Sequence, residues 1–123
     1  MDGIELEILW SNVISIVSEQ ARALQRVAFS PVVREAGDLA NAIFDKRARM
    51  VAQAVTGTPG HINSLGAAAQ NLLKAIPPDT LVPGDVLITN HPLMSAGPCF
   101  DIHILTPTFR GLEHRGYCGS DHT

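Results

Sequence analysis

At 123 residues the chain is the size of one domain. Hydrophobic residues make up 46% and charged residues 17%, so it can bury a core, and a disordered reading is excluded. A net charge of −3, with no basic block or stripe, excludes nucleic acid as an expected partner.

In chain order, the first expected element is a long helix over residues 4–29. Leu6, Leu9, Val13, Val17, Leu24 and Val27 recur at three- and four-residue steps or their sums, as one helix face requires. Asp2 followed by Glu5 has the spacing of a capping box, and Pro31 closes the segment. Trp10, Ile14 and Ile16 widen the apolar surface, so either the helix is deeply wrapped or part of it packs on something outside the chain. Residues 39–44 and 49–53 flank Asp45-Lys46-Arg47-Ala48, a spacing that suits a hairpin. Gly57-Thr58-Pro59-Gly60 reads as a loop. Ser64 caps a second helix, with Leu65, Ala68, Ala69, Leu72, Leu73 and Ile76 on one face, and Pro77-Pro78 ends it.

Beyond Pro83-Gly84 the pattern becomes that of strands. Residues 85–89 are a compact apolar run. Residues 100–105 alternate, with Phe100, Ile102 and Ile104 facing one way and Asp101 and His103 the other; residues 112–122 form a weaker strand candidate. The order points to an α+β fold, with the long N-terminal helix and the second helix packed on an antiparallel or mixed sheet. The acidic first residues do not form a secretory leader, and no apolar run approaches the roughly 18 residues of a membrane span. The expectation is therefore a cytoplasmic protein with no membrane partner and with Cys99 and Cys118 as free thiols.

Ligand-type residues concentrate in the last third: His91, Cys99, Asp101, His103, His114, Cys118, Asp121 and His122. Asp101 and His103, two apart in a strand pattern, leave one face, as a divalent-metal site on a sheet requires. A lone Asp or His on a polar strand face is more often simply solvated. Arg34, Glu35 and Asp38 suit an ion network, a polar ligand contact or a solvated turn. His61 follows a glycine loop at a helix start, where backbone amides attract anions, and equally suits a plain loop histidine. No phosphate-cradling glycine loop is present, because Gly57-Thr58-Pro59-Gly60 lacks the Lys-Ser/Thr that would follow in a P-loop, and no Gly-x-Ser-x-Gly elbow occurs.

Several segments carry a resemblance. They are Val33-Arg34-Glu35, Asp38, Ile43-Phe44-Asp45 and Met50-Val51-Ala52-Gln53, then Pro59-Gly60-His61 with Ser64-Leu65. Pro83-Gly84-Asp85-Val86, Thr89-Asn90, Pro92, Asp101-Ile102 and Pro107 continue the series. In order and spacing, over almost the whole chain, they resemble the opening of the hydantoinase B/oxoprolinase family. The resemblance implies the N-terminal portion of a longer B-type unit, here residues 1–123 and truncated. It implies work in ATP-dependent hydrolysis of cyclic amides such as hydantoin or 5-oxoproline, with ATP bound by an A-type partner subunit or domain and a divalent metal, manganese or zinc, in the B-type part. The alternative is a non-catalytic small metal- or partner-binding module derived from that family.

The family's metal region reads Asn-Asp-Pro, a glycine-rich stretch and His-x-x-Asp, then approximately His-His-x-Asp-x-Gly-Gly. Here Asn90-His91-Pro92 stands at the first motif, Pro98 at the histidine of the second, Asp101 at its aspartate, and Asp121-His122 at His-His. Ala48 stands where a hairpin glycine is common. The resemblance thus implies Asp101 and His122 as metal ligands, with His103 as a substitute, and Arg34, Glu35, Asp38, His61 and Asn90 as substrate contacts.

Overall fold

A computed structural model of the chain describes residues 1–95 and 100–123; Pro98 and Cys99 lie outside the described residues. Helix α1 spans Gly3–Val27. The Glu5 N–H donates to Asp2 Oδ1 at 2.8 Å and the Asp2 N–H donates to Glu5 Oε2 at 3.1 Å, the reciprocal pair of a capping box. The helix ends ahead of Pro31 as expected, and Pro31 itself opens a one-turn helix, α2 (Pro31–Arg34), where its missing N–H has no helical partner to lose.

Strands β1 (Leu39–Phe44) and β2 (Met50–Gln53) form the expected hairpin. Asp45 organises its turn, because Oδ1 accepts the Arg47 and Arg49 N–H groups, both at 2.9 Å, and Oδ2 accepts from the Arg49 guanidinium at 2.7 Å. Ala48 closes the turn at φ 57, in the left-handed region that favours glycine, and its methyl is buried in the core.

Helix α3 spans Pro59–Ala75 and begins earlier than expected. Pro59 takes the first helical position and Thr58 the cap position, whereas Ser64, read as the cap, lies inside the helix. A short 3₁₀ turn (Pro78–Thr80), β3 (Leu87–Thr89) and the one-turn helix α4 (Pro92–Ser95) lead to β4 (Ile102–Arg110) and β5 (Glu113–His122). A two-residue turn joins the last two strands, with Gly111 at φ 63.

The five strands are ordered β2-β1-β5-β4-β3, and every neighbouring pair is antiparallel. The α+β expectation holds, and the sheet is antiparallel throughout. The weakest strand candidate, β5, is the central strand. On one face Leu65, Ala69 and Leu72 of α3 pack against Ala40, Ala42, Phe44, Leu105 and Tyr117. On the other face Val13, Val17, Ala21 and Leu24 of α1 pack against Leu39, Ile43, Ala52 and Ala54. Because β1 lies between the two helices, both of its faces are covered.

The contact stripe of α1 begins at Val13. Toward the N-terminus, Ile4, Leu6, Ile8, Leu9 and Trp10 are each at least 48% exposed. Leu6 and Trp10 continue the stripe that Val13 and Val17 bury, and Trp10 borders a groove of about 340 Å³ with Ile14, Met50, Val51, Ala52 and Gln53. An apolar surface of this kind promotes association. We expect the purified chain to self-associate with rising concentration and to bind a hydrophobic dye. The double substitution Leu6→Gln, Trp10→Gln should suppress both and leave stability within about 0.5 kcal/mol, since neither side chain is in the core. Sedimentation velocity and dye fluorescence check this; a monomeric wild type that binds no dye would refute it. Among the described residues no helix is long and apolar enough to cross a membrane.

Candidate metal centre

Four segments meet at one corner of the α3 face. Asp38 immediately precedes β1, His61 lies in the first turn of α3, Asp101 precedes β4, and Asp121 stands near the end of β5. In the ladder His103 is directly opposite Asp121, so both leave the sheet on the same side. At the start of β4 the alternation is inverted relative to an ordinary core strand. His103 is 0% and Asp101 3% exposed, whereas Ile102 is 36% exposed. The polar face is the buried one because α3 meets it with His61 and Ser64, themselves buried, rather than with apolar side chains.

His61 is at the centre. Its Nδ1 lies 3.0 Å from Asp121 Oδ2 and 3.4 Å from Asp101 Oδ2, and its Nε2 lies 2.9 Å from Asp38 Oδ1. Thr58 Oγ1 donates to that same Asp38 oxygen at 2.8 Å, and Thr123 Oγ1 donates to Asp101 Oδ1 at 3.2 Å. The Ser64 hydroxyl is 2.8 Å from Asp121 Oδ2 and 3.0 Å from the His61 carbonyl; its single proton goes to the carboxylate, the stronger acceptor. His103 Nε2 stands 3.1 Å from Asp121 Oδ2 but off the line of a directed hydrogen bond. Asp121 Oδ1 is buried with no hydrogen-bond partner among the described residues.

The electrostatics follow from this crowding. Burial opposes a charged His61 ring, but the Asp121 hydrogen bond and the fields of Asp121, Asp101 and Asp38 outweigh it and hold the ring above its ordinary pKa. Burial pushes the Asp121 carboxyl up, but contacts with His103, Ser64 and His61 prevail and hold it below the usual range. One nitrogen of His61 and one oxygen each from Asp101 and Asp121 lie within 4.8 Å of one another, all three residues buried. Imidazole and carboxylate donors of this kind suit a divalent ion. The orphaned Asp121 oxygen fits such an ion, since a buried carboxylate oxygen otherwise lacks any compensating contact.

The sequence-derived candidates divide. Asp38, His61, Asp101 and His103 are brought together. His122 leaves the opposite face of β5 and borders a groove with Leu24, Val27, Ala28, Phe29, Ser30 and Val33 of the α1 side. Burial lowers the pKa of its ring, against the field of Asp121. Arg34 and Glu35 are exposed, 3.9 Å apart at their nearest charged atoms, and Asn90 is exposed ahead of α4. In the sequence Asp121 stands at the first histidine of the family's His-His motif but outside the expected ligands, and Ser64 enters only as a cap and in the resemblance.

The model of the hydantoinase B/oxoprolinase family matches residues 2–122. The 5-oxoprolinase of Saccharomyces cerevisiae is 33% identical over 109 residues, which are 89% of this chain and 8% of that protein. Nucleotide-free acetone carboxylase superimposes with a TM-score of 0.82 at 26% identity, over 98% of this chain and 16% of the other. ATP-dependent caprolactamase from Pseudomonas jessenii superimposes with the same TM-score at 24% identity, over 99% and 21% of the two chains, a likeness of fold. The chain therefore spans about a fifth or less of the length of each of these relatives. A match over nearly every residue, together with the shared fold, leads to one conclusion: the chain belongs to the hydantoinase B/oxoprolinase family.

Proposed function

We propose that these residues are the N-terminal, metal-holding part of a B-type unit acting in ATP-dependent hydrolysis of a cyclic amide, hydantoin or 5-oxoproline. The observation that carries this reading is the buried convergence of His61, Asp101 and Asp121. The substrate class is supported by the family match and by the likeness to yeast 5-oxoprolinase. His61 through Nδ1, with Asp101 and Asp121 through carboxylate oxygens, would hold manganese or zinc. A bound divalent ion supplies Lewis-acid polarisation of a carbonyl or a bound water of lowered pKa.

The chain's own residues orient and enclose. Asp38, itself held by Thr58, pairs with His61 Nε2 at 2.9 Å and so favours the ring orientation in which Nδ1 is directed at the two other carboxylates. Three carboxylates gather around two imidazoles, an excess of negative charge that a divalent cation offsets. ATP would be bound by an A-type partner, in keeping with the absence of a P-loop sequence. A cytoplasmic setting suits both ATP and the free thiol of Cys118.

The chain alone, given ATP and 5-oxoproline or hydantoin, is expected to show no turnover. Addition of an A-type subunit and the remaining B-type polypeptide should be required, and Asp101→Ala should abolish the reconstituted rate. Turnover by the isolated chain, or a reconstituted rate indifferent to Asp101→Ala, would contradict the proposal.

A further inference from the structure

The two carboxylates that face His61 Nδ1 share an asymmetry. In Asp101, Oδ1 accepts from Thr123 and Oδ2 faces His61 Nδ1. In Asp121 the division is sharper. Oδ2 receives the Ser64 hydroxyl at 2.8 Å and stands 3.0 Å from His61 Nδ1 and 3.1 Å from His103 Nε2, while the buried Oδ1 has no partner among the described residues. A carboxylate oxygen accommodates about two donors, so Ser64 and the imidazoles of His61 and His103 crowd Oδ2 and leave both lone pairs of Oδ1 for something else. His103 is 0% exposed; among the described residues its only charged contact is this oxygen, and neither ring nitrogen has a directed hydrogen bond. A fully buried imidazole so placed serves the carboxylate, and its Nε2–H tautomer is the one able to donate.

Resting on the metal site proposed above, we infer that His103 and Ser64 are positioning residues that tether Asp121 through Oδ2 and present Oδ1 as the metal-binding oxygen. Ser64 lies on α3, one turn after His61, and His103 on β4, so the tether locks helix to sheet at the ligand itself. His103 acts through Asp121 and is not itself a ligand. Loss of such outer contacts typically weakens metal affinity by ~10–100-fold.

The test is manganese(II) titration of the full chain, with free ion followed by electron paramagnetic resonance, and thermal melting of each metal-free variant as a fold control. His103→Leu fills the same space without a donor and should bind ~10–100-fold more weakly than wild type. His103→Gln, whose amide can donate to Oδ2, should recover most of that loss, a rescue that a purely space-filling role does not predict. Ser64→Ala should lose about 10-fold with little change in melting, and it decides the matter if His103→Leu does not fold. If wild type binds no manganese, the metal reading itself falls. If wild type binds but Ser64→Ala and His103→Leu bind equally well, the metal reading survives and the tether is refuted. If His103→Gln is as weak as His103→Leu, the ring is a ligand rather than a tether, which also overturns the inference.

Discussion

Asp121→Asn is expected to weaken manganese or zinc binding by at least about 100-fold, beyond the ~10–100-fold usual for a residue that only supports a ligand. The amide is nearly isosteric, so the change removes charge rather than volume. Asp121 is 0% exposed and contacts His61, Ser64 and His103, and water cannot replace it. His122→Asn should leave affinity unchanged, since that ring is on the opposite face. The dependence on pH has a definite sign. His61 must be neutral at Nδ1 to bind a cation, and the surrounding carboxylates hold its pKa above the ordinary imidazole value of 6.5. Affinity should therefore keep rising with pH above about 6.5 as the ring deprotonates. Metal-free stability runs the other way. The raised pKa of His61 contributes stability that is fully present below 6.5 and lost as pH rises through the raised value. Isothermal titration calorimetry across this range, with proton release measured in buffers of different ionisation enthalpy, checks both signs; affinity that falls with pH would contradict the assignment of His61.

The second large effect is expected at Gly116. A Cβ there would run into the backbone carbonyl of Phe44 on the neighbouring strand, which has no room to withdraw. Gly116→Ala should destabilise the fold by about 3 kcal/mol, the upper end for overpacking. Gly119→Ala should cost less, since its Cβ would meet the ring edge of Phe44 at 2.8 Å and Leu65 at 3.3 Å, side chains that can shift. Urea denaturation of the three proteins gives the order; a Gly116→Ala protein as stable as wild type would show that β1 and β5 are not held in this register.

These glycines also explain which parts of the fold were legible. The capping box, the amphipathic stripe of α1 and the Asp45 hairpin each announce themselves through residue types acting locally, and all appear where their spacing puts them. The central strand β5 was faint because its core-facing positions are partly glycine. The space above Gly119 is filled by Phe44, Leu65 and Leu105, so the apolar alternation resides in its neighbours. The start of α3 was hidden by Pro59-Gly60, whose loop chemistry is equally that of a first helical turn.

The site was half legible for a related reason. Asp101 and His103 share a face by simple alternation, but which of Asp121 and His122 joins them depends on register across the β4–β5 hairpin. From the turn outward Arg110 pairs with Glu113 and Phe109 with His114; a bulge at Thr108/Phe109 then shifts the ladder so that Thr108 pairs with Gly116 and His103 with Asp121. Without that one-residue shift His103 would face Ser120, and His122 would lie on the α3 side. Nothing in the residue types fixes such a bulge. The resemblance marked His61 as a substrate contact, but its place beside Asp121, and that of Ser64, depends on α3 lying against the sheet, because their sequence separation from Asp121 is large.

The most direct measurement of the central claim is anomalous diffraction from crystals of the chain grown with manganese. The account predicts one strong peak between His61 Nδ1 and the carboxylates of Asp101 and Asp121, absent from crystals of Asp121→Asn. A peak at His122 on the α1 side, or no peak at the His61 corner at saturating manganese, would contradict it.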